Sequence, residues 1–154
     1  GDQINNCIFA GATINPPSLR ATEDYSAALE WAKSIGGLKA MIERANTNAG
    51  IVKDWIEATP WLKNMVDAPA KRTNTGVCMQ FTGDWYESLS ADDQAAVPKK
   101  IVKMLEERNV GYDFNGYRDA PPSLRIWCGG TLEAEDISRL LPWIEWAYEA
   151  VKNG

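Results

Sequence analysis

Hydrophobic positions recur along this chain with two different periods. Over residues 17–35, Leu19, Tyr25, Leu29 and Ala32 fall at spacings that share one face of a helix. Asn15 can cap that helix, with Pro16 and Pro17 holding φ where a first turn wants it, and Gly36-Gly37 ends it as a left-handed C-cap would. A second helix is predicted over 38–58. Its stripe of Leu38, Met41, Ile42, Ala45, Ala49, Val52, Trp55 and Ile56 follows the i, i+3, i+4, i+7 series until Thr59-Pro60 stops it.

The period then shortens to two. Val77, Met79 and Phe81 alternate with Cys78 and Gln80, which predicts a half-buried strand over 73–81. Asp92 or Asp93 can cap a following helix that runs to Arg108 and turns Val97, Ile101, Met104 and Leu105 inward; Pro98 means that it either kinks or begins there. Tyr112 and Phe114 alternate as a second strand. After Pro121-Pro122, Leu124, Ile126 and Cys128 share one face of a third, which Gly129-Gly130 breaks. A closing helix over 133–152 buries Ile137, Leu140, Leu141, Ile144, Tyr148 and Val151. Two long helices followed by β-α-β-β-α predict an α+β fold: a small, mainly antiparallel sheet with helices on one face. The expected organisation is a single domain over 1–154, with a lead-in at 1–15, a helical connection at 16–59 and a small α+β domain at 60–154.

Composition narrows the function. A hydrophobic share of 45% with 24% charged residues is that of a globular protein. A net charge of −5 argues against nucleic acid as partner, and no apolar stretch is long enough to span a membrane. Cys7, Cys78 and Cys128 are odd in number and widely spaced, which suits reduced thiols and a cytoplasmic location rather than a disulfide frame. The chain has no histidine, so it can build neither a Ser-His or Cys-His nucleophile nor an imidazole metal site, and three scattered cysteines make no zinc site. It opens on Gly1 rather than Met, which points to a cut fragment or an expression remnant.

The candidate chemistry is for binding anions. Capped by Asn15, the first helix would offer free N–H groups and a positive dipole end to a phosphate; the plainer alternative is a surface helix. Arg125 lies between Leu124 and Ile126, so strand alternation turns it to the opposite face, where it can grip a carboxylate in bidentate fashion or simply be solvated. Arg118 precedes the stiff turn Asp119-Ala120-Pro121-Pro122. Together, two arginines and a helix N-terminus suit a ligand with both a phosphate and a carboxylate. Lys71-Arg72-Thr73-Asn74 reads as a solvated strand entrance. Trp55, Trp143 and Trp146 are expected in core or interface packing, and the acidic pairs Glu23-Asp24, Asp92-Asp93 and Glu106-Glu107 as caps or solvated faces.

Four blocks carry a family resemblance. Thr13-Ile14-Asn15-Pro16-Pro17-Ser18, Glu23-Asp24-Tyr25, Trp31-Ala32-Lys33-Ser34-Ile35-Gly36-Gly37-Leu38 and the run from Tyr117 to Gly129 together resemble phosphoserine aminotransferase. The likeness is to its bacterial and archaeal branch, runs over residues 2–152, and covers only the C-terminal portion of that enzyme. It implies the C-terminal domain of a fold type I, pyridoxal-phosphate-dependent homodimer that moves an amino group from glutamate to 3-phosphohydroxypyruvate in serine biosynthesis. By the same resemblance Asn15 reaches the cofactor phosphate across the dimer, Arg125 holds the substrate α-carboxylate, and Arg118 lies near the substrate phosphate. The family's usual Thr after that asparagine is Pro16 here, and Tyr117 stands where some relatives have His. The family's Schiff-base lysine, pyridine-nitrogen aspartate and stacking ring lie upstream of the matched region. The expectation is therefore a fragment that has no catalytic residue, binds no cofactor alone, and awaits a missing N-terminal cofactor domain. The alternatives are another fold type I aminotransferase and a stand-alone, non-catalytic interaction module.

Overall fold

The computed structural model describes residues 18–154 together with Asn6, Ala10 and Gly11. The chain divides into two compact units, Gly1–Leu38 and Lys39–Gly154.

In the first unit, helix α1 spans Leu19–Ser34. Its cap is Ser18, three residues later than Asn15: the Ser18 hydroxyl accepts from the Ala21 N–H at 3.3 Å. Asn15, Pro16 and Pro17 lie outside the described residues. Gly36 and Gly37, at φ +114° and +70°, supply the left-handed exit that their sequence predicts. α1 buries none of its residues, and Leu19, Tyr25, Leu29 and Trp31 are all exposed.

In the second unit, helix α2 (Gly37–Ala58) turns Ala45, Val52 and Ile56 into the core, as its stripe predicts. Strands β1 (Leu62–Asn64), β2 (Gly76–Phe81) and β3 (Ser123–Trp127) form one antiparallel sheet in that order. Between β2 and β3 lie the single-turn helix α3 (Asp84–Glu87) and helix α4 (Ala91–Glu107); α5 (Ala134–Asn153) closes the chain. Val77, Met79 and Phe81 of β2 and Leu124 and Ile126 of β3 face a core filled by α2, α4 and α5. Ile101, Leu105 and Ile144 are fully enclosed there, each stabilising the fold by about 1.5–3 kcal/mol. One side of the core is aromatic: the Trp61 ring stacks on Tyr148 at 3.8 Å and on Phe81 at 6.2 Å.

The α+β architecture is the expected one, but its strand order is not. Tyr112 and Phe114 do not form a strand. Asn109 and Asp113 sit at φ +55° and +61°, so the backbone leaves the extended region twice, and only a single bridge pairs Asn115 with Leu124. The third strand is instead β1, whose three residues are too few to show alternation. α4 is capped by Ser90, whose hydroxyl accepts from the Asp93 N–H at 3.2 Å and donates to the Asp93 carboxylate at 2.7 Å, rather than by Asp92 or Asp93. It runs unbroken through Pro98. Proline there leaves the Gln94 carbonyl without its helical donor, and the Tyr86 hydroxyl donates to that oxygen at 3.4 Å. α5 buries Ile137, Leu141, Ile144 and Tyr148 as read, while Leu140 and Val151 are only half-buried.

Candidate substrate-carboxylate site

With the helices on one face of the sheet, the other is left to Cys78 and Gln80 of β2 and to Ser123, Arg125 and Trp127 of β3. Arg125 is paired in register with Cys78, and Trp127 with Gly76, which has no side chain to crowd the indole. β3 is held at both ends. Along its outer edge, the Arg125 N–H donates to the Phe114 carbonyl at 2.8 Å and the Gly116 N–H donates to the Ser123 carbonyl at 3.2 Å. A Cβ at Gly116 would lie 2.2 Å from the Ser123 hydroxyl, so a larger residue there would force that hydroxyl to move.

Beyond its far end, α2 clamps the loop that follows β3. The buried Asn48 amide donates to the carbonyls of Gly129 (3.2 Å) and Leu132 (3.0 Å). Arg44 donates to the Gly130 carbonyl at 2.7 Å and pairs with Glu133. Gly130 sits directly against the Met41 carbonyl. These contacts fix where β3 ends, and with it the arginine two residues earlier.

Arg125 is itself held on several sides. Its Nη2 donates to the Asp113 carboxylate at 3.0 Å, and the Trp127 indole N–H donates to the same oxygen at 3.3 Å. The guanidinium carbon lies 5.2 Å from the centre of the Trp127 ring, close enough for a cation–π contact. Its Nε is buried with no hydrogen-bond partner among the described residues. A guanidinium offers five donors in a planar fork, so one bond at Nη2 leaves it able to take a carboxylate in two-point fashion.

The predicted site residues fare differently. Arg125 is where strand parity put it, on the face away from the core. Arg118 is highly exposed and, among the described residues, pairs only with its neighbour Asp119, at 3.9 Å; no hydrogen bond or ion pair ties it to Arg125 or Asp113. Asn15 lies outside the described residues. Arg72 donates to the carbonyls of Val66 and Asp67 at 2.6 and 2.9 Å, so it pins the β1–β2 connection. Trp143 and Trp146 are exposed rather than core residues, with Arg108 lying over the Trp146 ring at 4.3 Å. Two residues at the site were not anticipated. Trp127 could have been found by stepping two along the strand from Arg125. Asp113 could not, because its loop reaches Arg125 only through the edge pairing of residues 114–116.

Two thiols lie on opposite faces here. Cys78 is half-buried beside Arg125, whereas Cys128 is fully buried and that burial pushes its thiol up to about 11. All nine lysines are exposed. Among the described residues no helix is long and apolar enough to cross a membrane.

Comparison with known proteins bears on the sequence and the fold. No family model matches the chain. It is 43% identical over 152 residues to the phosphoserine aminotransferase of Methanosarcina mazei, a match that takes in 99% of this chain and 38% of that protein. Two solved structures share the fold. Phosphoserine aminotransferase from Bacillus circulans subsp. alkalophilus superposes with a TM-score of 0.74 at 17% identity, covering 93% of this chain and 36% of the other. A PLP-bound phosphoserine aminotransferase from Trichomonas vaginalis gives 0.72 at 20% identity, over 90% and 36%. The chain thus spans well under half the length of the proteins it matches. In sequence and in fold it corresponds to the C-terminal part of the phosphoserine aminotransferases.

Proposed function

We propose that this chain is the substrate-gripping portion of a phosphoserine aminotransferase, with Arg125 holding the α-carboxylate of the substrate. The observation that supports this most directly is the setting of Arg125. It is an arginine raised from a clamped strand, propped by Trp127, with one donor on an internal carboxylate and another unfilled. Arginine suits the task because its planar fork fixes both position and rotation of a carboxylate, which a lysine does not.

The complete enzyme would transfer the amino group of glutamate to 3-phosphohydroxypyruvate, with pyridoxal phosphate as the electron sink that makes the α-proton removable. The described residues do not fit that cofactor's attachment point, since every lysine is exposed and none is buried away from water to lower its pKa. Residues outside this chain would hold the cofactor ring and carry the proton. Asn15, by its resemblance, would touch the cofactor phosphate of the partner subunit, and Arg118 the substrate phosphate. The apolar residues exposed on α1 are consistent with a surface made to be covered, by the cofactor domain or by the second subunit of a cytoplasmic homodimer.

The test is an assay of the complete gene product and of the 154-residue chain side by side, with glutamate and 3-phosphohydroxypyruvate. The reading expects turnover by the complete protein and none by the chain alone. Turnover of alanine and glyoxylate in place of that pair would point to a different aminotransferase, and no longer gene product at all would leave a non-catalytic module.

A further inference from the structure

Asp113 is the one carboxylate that meets Arg125 among the described residues. Its Oδ2 accepts from Arg125 Nη2 at 3.0 Å and from the Trp127 indole at 3.3 Å. The carboxylate stands in solvent, its side chain 65% exposed against 25% for the arginine. Its backbone is left-handed at φ +61°, a conformation that Asp and Asn tolerate better than other side chains because their short polar groups bond locally.

We propose that Asp113 is an internal stand-in for the substrate carboxylate: it holds the guanidinium while no ligand is bound and must yield Nη2 when one arrives. This inference rests on the reading of Arg125 given above. Two features support it. The hold is one-pointed, engaging Nη2 while the adjacent Nε–H, the second prong of the side-on fork, is left buried without an acceptor. A bidentate carboxylate would satisfy both prongs, and it needs the position that the Asp113 oxygen now takes. The second feature is Trp127, whose indole N–H gives the displaced Asp113 a donor to retain, so that yielding Nη2 does not strand the carboxylate. The consequence is selectivity: a ligand that meets Arg125 with a single oxygen gains little over Asp113, whereas a two-point carboxylate gains the extra bond.

Replacing Asp113 by Asn keeps the left-handed backbone and the hydrogen bond from Trp127 while removing the competing charge. We expect the Asp113→Asn variant of the complete gene product to bind L-phosphoserine and L-glutamate about two- to fivefold more tightly by calorimetry, the range that an exposed ion pair is worth. KM should fall in proportion. A merely structural lesion would weaken binding, not strengthen it. Asp113→Gly, which also accepts positive φ, serves if the Asn variant folds poorly. Arg125→Ala separates the two claims. If it abolishes binding while both Asp113 variants bind no tighter than wild type, the stand-in role is overturned and the reading of Arg125 survives. If it leaves binding intact, both fall.

Discussion

Asn48 is the buried polar residue on which the seating of β3 depends most visibly, and replacing it with Leu isolates what its amide does. The side chain is 1% exposed and donates twice, to Gly129 and Leu132. Neither acceptor is orphaned when the amide goes. The Gly129 carbonyl keeps the Leu132 N–H at 3.1 Å, and the Leu132 carbonyl keeps Arg44 at 3.3 Å. The cost is therefore that of two hydrogen bonds without an added penalty for an unpaired carbonyl, about 1–3 kcal/mol in total. Leu branches as Asn does and is the bulkier of the two, so no cavity is opened and any extra cost is one of overpacking. A domain of this size loses roughly 4 °C of Tm per kcal/mol, so thermal unfolding followed by circular dichroism should drop by about 4–12 °C. Asn48→Asp should be worse near neutral pH, because it aims a carboxylate at two carbonyls in a buried site. Burial raises the folded pKa of such an acid above its unfolded value, so that variant should regain stability as the pH is lowered and lose it as the pH rises. An Asn48→Leu protein melting within about 1 °C of wild type would refute the clamp.

Two further outcomes follow from the same region. Gly130→Ala would place a methyl 2.7 Å from the Met41 carbonyl, which the helix backbone cannot readily yield; the expected loss is about 1–3 kcal/mol by chemical denaturation, and an unchanged midpoint would contradict the packing. Cys128 should resist iodoacetamide at pH 8 while Cys78 is alkylated, as peptide mass mapping would read, because the buried thiol stays protonated up to about 11. The sign carries over to stability. With the folded pKa above the ordinary value of 9.0, the contribution of Cys128 is whole below pH 9 and lost as the pH climbs towards 11. Equal labelling of both thiols in the folded state would contradict that burial.

Much of this fold was legible because its long elements are strongly periodic. The stripe of α2 predicts the burial of Ala45, Val52 and Ile56, and the parity of β2 separates Val77, Met79 and Phe81 from Cys78 and Gln80. Arg125 could be placed for the same reason: a strand residue between two apolar neighbours must face away from them. What stayed hidden has no period. β1 is three residues long, and residues 112–114 alternate in hydrophobicity without the backbone to make a strand, because φ turns positive at Asn109 and Asp113. Asn48 lies on the buried side of α2, yet nothing in its type announces that its amide will meet carbonyls some eighty residues away. Asp113 is twelve residues from Arg125, and only the folded edge of β3 joins them.

The grip of Arg125 is tested most directly by a crystal structure of the complete gene product soaked with L-phosphoserine. The ligand's α-carboxylate should lie against Arg125, with two N–H···O contacts of about 2.7–2.9 Å. A carboxylate held by another cation, with no contact to the Arg125 guanidinium, would contradict it.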